Sequence, residues 1–140
     1  MDEMRKELLK VLGYSDKAVD VLDAERHCGE MAHPTVSVRH QDGCGDVLML
    51  DLCIEDDVIR DVAFRIIGCS GLQACASGMA EMIIGMSVDE AEQVSGTDIV
   101  TWLEGIPDAK FECAEASSLT LQEAIAEYRA GRSGEGREER

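Results

Sequence analysis

Two β-rich segments separated by three residues constrain the fold of this chain more than any other feature. They are residues 47–54 (VLMLDLCI) and 58–67 (VIRDVAFRII). The spacing predicts a β-hairpin whose loop is Glu55, Asp56 and Asp57, with aspartate adopting the left-handed conformation that such loops need. Because side chains alternate between faces, matching apolar with apolar residues predicts the register. The expected pairs are Ile54–Val58, Leu50–Val62 and Leu48–Phe64, with Arg60 opposite Leu52.

The predicted register also brings two cysteines together. Extending the ladder places Cys44 opposite Gly68, and therefore beside Cys69, although these cysteines are 25 positions apart. Each lies next to a glycine, which lets the two backbones approach closely. Neighbouring thiols at glycine turns indicate a site for a soft metal or for sulfur chemistry.

The charge of the chain limits its partners. A formal charge of −16 argues against nucleic acid and anionic membranes, because phosphate binding needs clustered lysine and arginine. It favours a basic protein partner or simply solubility. Residues 1–10 are charged throughout, and no apolar run approaches the roughly 18–20 residues of a membrane span. We therefore expect a cytoplasmic protein, in which the six cysteines are free thiols or metal ligands rather than disulfides.

The rest of the chain predicts one more strand, residues 35–40, and several helices. The helices are expected at residues 2–12, from Ser15, over 70–84, from Ser87, around Trp102 and from Ala114. Strands followed by helices indicate an α+β fold, a small antiparallel sheet of about three strands covered on one face by helices. The expected organisation is an N-terminal helical extension at 1–13, one domain at 14–130 and a disordered charged tail at 131–140.

This layout places Cys69 and Cys113 each at the start of a helix. The helix dipole there favours a thiolate, which is both the metal ligand and the nucleophile. Asp46, two residues after Cys44, projects to the same side as Cys44 if the strand has begun.

The other cysteines, and the two histidines near Cys28, are not assigned to the predicted site. His27, Cys28 and His33 share one loop, but their spacing fits no standard zinc pattern, so we interpret the loop as a connection. Cys75 falls on the apolar stripe of its helix and is expected in the core. Cys53 belongs to no motif and is interpreted as structural.

The chain resembles the U-type iron–sulfur cluster scaffolds, the family of IscU and of the NifU N-terminal domain. The similarity runs from about Tyr14 to Ala130. Its matching segments, in order, are Tyr14-Ser15-Asp16-Lys17, Gly43-Cys44-Gly45-Asp46, Gly68-Cys69 with Ala74, Ser77 and Glu81, and Ile106-Pro107 with Lys110 and Cys113. Three cysteines in this order and context are far more specific than the Cys-Gly-Asp motif alone.

The resemblance implies a non-enzymatic scaffold on which a [2Fe–2S] cluster is assembled and handed to apoproteins. Sulfur would arrive as a persulfide from a pyridoxal-phosphate cysteine desulfurase. Cys44, Cys69 and Cys113 would hold iron, and Asp46 would be the weak fourth ligand that keeps the cluster labile. Cys113 would be the persulfide acceptor. Thiolates are soft ligands for iron, and a carboxylate makes one position exchangeable.

The chain departs from the family at two places. Glu112 stands where the family usually has a histidine before its third cysteine; we expect Glu112 to be a nearby charge rather than a ligand. Asp108 and Ala109 interrupt the segment that a dedicated Hsp70-type chaperone recognises in bacterial members, which argues against that partner. The absence of an insertion between Cys69 and Cys113 argues against the zinc-dependent SufU branch.

The residues themselves leave other classes open. Cys44, Asp46, Cys69 and Cys113 would also suit a zinc-bound sulfur-acceptor protein, since the ligand sets for zinc and iron overlap, and zinc could occupy the cluster-free form. A thiol–disulfide protein is less favoured, because the chain lacks a C-x-x-C pair. Self-association into a homo-oligomer, and the roles of the N-terminal extension and Cys28, are not determined by the sequence.

Overall fold

The architecture is a three-stranded antiparallel sheet with six α-helices, in a computed structural model that describes residues 1–41 and 45–133. Within these residues no helix is both long and apolar enough to cross a bilayer. The strand order is β1-β2-β3, which confirms the α+β prediction. The elements are α1 (Glu3–Leu12), α2 (Asp16–Ala24), β1 (Val36–Gln41), β2 (Val47–Glu55), β3 (Val58–Ile67), α3 (Ser70–Ile83), α4 (Val88–Glu92), α5 (Gly96–Leu103), a 3₁₀ turn (Asp108–Lys110) and α6 (Phe111–Ser133).

The hairpin forms, but its loop is shorter than predicted and its register differs. Only Asp56 and Asp57 lie between the strands, both with positive φ (55° and 61°), as a two-residue type I′ turn requires. The register is shifted by two residues. The observed pairs are Leu52–Val62, Leu50–Phe64 and Leu48–Ile66, whereas next to the turn Glu55–Val58 differs from the predicted Ile54–Val58 by one residue. A shift of two leaves every side chain on its predicted face, so apolar matching could not exclude it; the turn length decides.

A β-bulge accounts for the change of register next to the turn. The register changes between Cys53 and Ile54, so Ile54 pairs with Ile59, which is fully buried, rather than with Val58. Arg60 lies at this irregularity and is exposed, not opposite Leu52 as predicted. Continuing the ladder beyond the pair Val47–Ile67 brings Asp46, rather than Cys44, level with Gly68. Cys44 itself lies outside the described residues.

The core lies between the sheet and α3. Leu48, Leu50 and Leu52 point to the helical side and are buried, while α3 is buried on most of its surface. Small residues on α3 allow neighbouring helices to approach it: a Cβ added at Gly78 would lie 2.9 Å from Cδ2 of Leu103 on α5. The helices therefore cover one face of the sheet, as expected.

The loop of residues 26–34 crosses the other side of the sheet. It begins at the β3 edge, where the amide of Phe64 donates to the carbonyl of His27 and the amide of Gly29 donates to the carbonyl of Phe64. It then passes Asp51 on the central strand, whose carboxylate accepts from the Met31 amide (3.0 Å) and the Ser37 hydroxyl (2.6 Å). Asp51 is 3% exposed, so the loop is anchored by a buried charge that sequence analysis did not identify.

Two helix boundaries differ from the sequence expectations. The last helix begins at Phe111 rather than Ala114, so Cys113 is inside its first turn. The same helix continues to Ser133, which makes the first three residues of the predicted disordered tail helical. The remainder of that tail, 134–140, lies outside the described residues.

Replacing Asp51 tests the anchoring of the crossing loop. Asp51→Ala removes the buried carboxylate that accepts from the Met31 amide and the Ser37 hydroxyl, and should lower the free energy of unfolding by about 2 kcal/mol. Asp51→Asn retains one acceptor oxygen and should lower the free energy of unfolding by less. Urea denaturation followed by circular dichroism gives both values. The matched control is Glu55→Ala, at the exposed end of the same strand, which should change stability by less than about 0.5 kcal/mol. Equal losses for Asp51→Ala and Glu55→Ala would contradict the assignment.

Candidate metal site

The first turns of α3 and α6 bring Cys69 and Cys113 into contact. Cys69 is the N-cap of α3, in extended conformation after Gly68, and Cys113 lies in the first turn of α6. Their sulfur atoms are 3.7 Å apart, and both side chains are partly buried. Two sulfur ligands on one tetrahedral ion, with bonds of about 2.3 Å, are separated by about 3.8 Å. The pair therefore has the spacing needed to bind the same metal ion.

The environment of Cys69 favours its thiolate. Burial alone raises the pKa of this thiol, but the backbone amides of Leu72 and Gly71, the Cys113 thiol and the Lys110 ammonium together lower the pKa below its ordinary value. The amides belong to the first turn of α3, so the thiolate lies at the positive end of the helix dipole. The predicted effect of the helix start is thus present at Cys69.

The pKa of Cys113 is shifted in the opposite direction. Burial, the negative charge of Cys69 and the contact between the two sulfurs raise the pKa of Cys113 to about 12, although Lys110 opposes this shift. The Asp46 carboxylate raises the pKa further. Two adjacent thiols in a partly buried site cannot both ionise easily, so Cys69 loses its proton before Cys113 does. The helix start at Cys113 does not overcome these effects, contrary to the sequence expectation.

A close approach at Gly71 positions Lys110, whose ammonium lowers the pKa of both thiols. A Cβ added at Gly71 would lie 2.9 Å from Cγ of Lys110 and 3.0 Å from its Cβ and Cδ. The aliphatic part of Lys110 therefore crosses the first turn of α3, which requires glycine at this position. Sequence analysis included Lys110 in a motif but assigned it no role, and it missed Gly71.

Asp46 lies at the same end of the sheet as the thiols. A Cβ added at Gly68 would be 3.0 Å from the Asp46 Cγ, so Asp46 packs against the backbone immediately before Cys69. Its charge also acts on Cys113. The described residues thus bring Cys69, Cys113 and Asp46 to one region. Cys44, the fourth predicted ligand, falls outside them.

Tyr14 is a neighbour of the thiols that sequence analysis did not assign to the site. It is buried at the start of α2, and its pKa is raised to about 12, first by burial and then by the charges of Cys69, Cys113 and Cys75. Its phenol is therefore neutral at physiological pH and lies close enough to the two thiols for their charges to act on it. No spacing in the sequence indicated this position, because α2 reaches the site only through tertiary packing.

The other candidate residues lie elsewhere. Cys75 is fully buried in the core, as expected, and its pKa is raised strongly by burial. The side chain of His27 contacts the Glu81 carboxylate on α3, while Cys28 and His33 are exposed. Glu112 is exposed on α6. Within residues 1–41 and 45–133, no group of three or more His, Cys, Asp or Glu side chains could hold a metal ion.

Comparison with known proteins identifies the family. Residues 13–134 match the family described as the NifU-like N terminal domain. This chain belongs to that family. The match includes Cys69, Cys113, Asp46 and Tyr14, whereas α1 lies before it. The resemblance to the U-type scaffold family found in the sequence is therefore confirmed.

The curated relatives include a nitrogen fixation protein and an iron–sulfur cluster assembly scaffold. The chain is 35% identical over 125 residues to the nitrogen fixation protein NifU of Nostoc, covering 83% of this chain but only 42% of NifU. It is 31% identical over 126 residues to the iron–sulfur cluster assembly scaffold protein IscU of Escherichia coli, covering 86% of this chain and 98% of IscU. The chain thus spans less than half of NifU and nearly all of IscU.

Solved structures of this family have the same fold. A scaffold protein assigned to the SUF system of Fervidobacterium islandicum gives a TM-score of 0.64 at 24% identity, covering 80% of this chain and 96% of that one. The N-terminal part of a NifU-like protein from Brucella abortus gives a TM-score of 0.64 at 20% identity, covering 83% of this chain and 91% of that one. These similarities confirm the fold of the NifU-like domain.

Removing the Lys110 charge tests the electrostatics of the pair. In the metal-free protein, Lys110→Met should raise the pKa of Cys69, because the cation that favours the thiolate is lost. The pH midpoint for alkylation of Cys69 by iodoacetamide, followed by peptide mass spectrometry, should then move to higher pH. Lys17→Met is the matched control, since the Lys17 ammonium lies over the Trp102 ring, 3.8 Å from its centroid. An unchanged midpoint in Lys110→Met would contradict the role given to this lysine.

Proposed function

We propose that this chain is a non-enzymatic scaffold on which a [2Fe–2S] cluster is assembled and from which the cluster is transferred to apoproteins. The observation that carries the proposal is the 3.7 Å separation of the Cys69 and Cys113 sulfurs, which matches the ligand spacing of a tetrahedral iron, in a chain of the NifU-like domain family. The cluster is cargo, so the site must bind it and also release it.

The proposed ligand set combines soft and hard donors. Cys44, Cys69 and Cys113 supply thiolates, and Asp46 supplies a carboxylate oxygen. Thiolates bind iron strongly, whereas a carboxylate is a harder ligand that is more easily protonated and displaced. The packing of Asp46 against Gly68 supports this set, because it holds the carboxylate beside the backbone that leads into Cys69. Glu112 is exposed and remains outside the set.

Sulfur enters, in this proposal, as a persulfide of a partner cysteine desulfurase, with Cys113 as the acceptor. The Cys113 sulfur attacks the terminal sulfur of the persulfide, a new S–S bond forms, and the thiolate of the partner leaves. Attack requires the Cys113 thiol to lose its proton. The Lys110 ammonium favours this ionisation, because it opposes the rise in the pKa of Cys113, and the departing thiolate of the partner takes up the proton.

Cluster binding is tested by reconstituting the protein anaerobically with iron and a sulfur donor. Its metal content and visible absorption spectrum are then measured. We expect equal amounts of iron and acid-labile sulfide and sulfur-to-iron absorption bands. Alanine at Cys44, Cys69 or Cys113 should abolish the bands. Alanine at Cys53, on the opposite face of β2 from Leu50 and Leu52, and glutamine at Glu112 should retain them.

Two results of this experiment would count against the proposal. A colourless protein that binds zinc but no iron and sulfide would support the zinc-bound sulfur-acceptor function, because Zn²⁺ has a filled d shell. Retention of the cluster by the Cys69 or Cys113 variant, with Cys75 or Cys28 required in its place, would show that the site has been assigned to the wrong thiols.

Asp46 should control how long the cluster survives. Asp46→Ala removes the exchangeable oxygen ligand, so the cluster should persist longer in air and transfer more slowly to an acceptor apoprotein. The decay of the visible bands and the rate of acceptor loading measure the two effects. Asp61→Ala, an exposed aspartate on β3, is the control and should leave both rates unchanged. An unaltered transfer half-life in Asp46→Ala would remove Asp46 from the ligand set.

A further inference from the structure

The sulfur of Cys69 is in contact with the atom of Cys113 that would carry a transferred sulfur. The two Sγ atoms are 3.7 Å apart, close to the sum of two sulfur van der Waals radii. A disulfide bond is about 2.05 Å long, so the two sulfurs need to approach by about 1.7 Å to become bonded. The pair is therefore placed for sulfur–sulfur chemistry as well as for metal binding.

The surroundings of Cys69 make it a nucleophile. Although burial opposes ionisation, the backbone amides of Gly71 and Leu72 and the Lys110 ammonium stabilise the thiolate of Cys69. A thiolate attacks a sulfur–sulfur bond, whereas a thiol does not. Cys75 is close enough for the charges of both thiols to act on it, but it is fully buried, and burial disfavours its thiolate.

We propose that Cys69 reduces the sulfur received by Cys113 and releases it inside the site as hydrosulfide. This inference rests on the proposed function, in which Cys113 is the persulfide acceptor. It adds a second role for Cys69, which acts as the resolving thiolate before it acts as a metal ligand. The chain itself then supplies the electrons that convert the transferred sulfur into sulfide.

The reaction is a single displacement at the Cys113 sulfur. The Cys69 thiolate attacks Cys113 Sγ, a bond forms between the two Sγ atoms, and the bond from Cys113 Sγ to the terminal sulfur breaks. The terminal sulfur leaves with that electron pair and its own proton as hydrosulfide. It gains two electrons, and the two cysteine sulfurs together lose two as they become a disulfide. A dithiol reductant then returns both cysteines to thiols by exchange.

Two features direct the attack to Cys113 Sγ rather than to the terminal sulfur. Cys113 Sγ is the atom already in contact with Cys69. Attack on the terminal sulfur would also expel the Cys113 thiolate, which burial and the neighbouring Cys69 charge disfavour. Attack on Cys113 Sγ instead expels hydrosulfide, the conjugate base of a stronger acid and hence the better leaving group.

The disulfide gives the reductant control over metal loading. Iron–sulfur clusters contain sulfide, so each transferred sulfur needs two electrons before it can bridge iron. The Cys69–Cys113 pair provides them once and is then unable to bind metal until the dithiol restores it. Sulfide release and ligand availability therefore alternate at the same two sulfurs.

The reaction is followed in the metal-free full chain, without oxygen, after brief treatment with glutathione persulfide and rapid removal of the donor. Samples are alkylated at successive times, digested without reductant and analysed by mass spectrometry, and hydrosulfide is trapped with monobromobimane. The Cys113 persulfide should decay while the Cys69–Cys113 disulfide and hydrosulfide appear in equal amounts. In Cys69→Ser the persulfide should persist, with decay slowed at least about tenfold.

Cys53→Ser is the matched control, because it removes a partly exposed thiol of β2 and should decay as the unmodified chain does. Circular dichroism verifies that each variant is folded. Equal decay in Cys69→Ser and the unmodified chain would overturn the proposal. So would a disulfide that joins Cys113 to Cys44 or Cys75 instead, or a Cys113 that never acquires sulfur.

Reconstitution with iron and inorganic sulfide separates this inference from the function on which it rests, because it needs no reduction of transferred sulfur. A cluster formed in this way, together with a persistent Cys113 persulfide in the unmodified chain, would refute the role of Cys69 as a reductant and leave the scaffold function intact. Absence of a cluster, together with release of hydrosulfide and formation of the disulfide, would remove the scaffold function and leave the thiol chemistry established.

Discussion

The packing of Lys110 across Gly71 determines the geometry on which the thiol site depends. This contact joins the turn before α6 to the first turn of α3, and each helix begins with a cysteine within its first residues. Any side chain at position 71 would have to displace the lysine stem, and the start of α6 would move with it. The 3.7 Å contact between the two sulfurs therefore depends in part on this glycine–lysine contact.

The surroundings of the two thiols create an asymmetry between chemically identical side chains. The ammonium of Lys110 and the amides of α3 favour the charge on Cys69, while burial and the neighbouring thiolate keep Cys113 protonated. The two thiols therefore ionise in a fixed order, Cys69 before Cys113. Metal binding would remove the remaining proton, which couples loading of the site to pH.

The rest of the fold holds the two helix starts in place. Gly96 at the beginning of α5 lies against α6, where an added Cβ would be 3.1 Å from the backbone nitrogen of Glu115. Gly78 admits Leu103 against the middle of α3. On the other side of the sheet, Asp51 anchors the crossing loop, and Glu81 on α3 contacts His27 at its beginning. The site thus rests on helices fixed at several points, whereas α1 is held by Leu9 and ion pairs on one side only.

The sequence by itself determined the element types, the faces of the strands and the segments that carry the chemistry. Hydrophobic periodicity and capping residues are local properties, so the hairpin, the helix starts at Ser15 and Ser87 and the buried position of Cys75 could be predicted. The motif order around Cys44, Cys69 and Cys113 was sufficient to identify the family. The hairpin register could not be predicted, because a shift of two residues preserves every face and the two-residue turn selects between the alternatives. The roles of Gly71, Tyr14 and Asp51, and the opposite pKa shifts of Cys69 and Cys113, were decided only by tertiary structure. These properties depend on burial and on charges brought together from distant parts of the chain, and neither is encoded in local spacing.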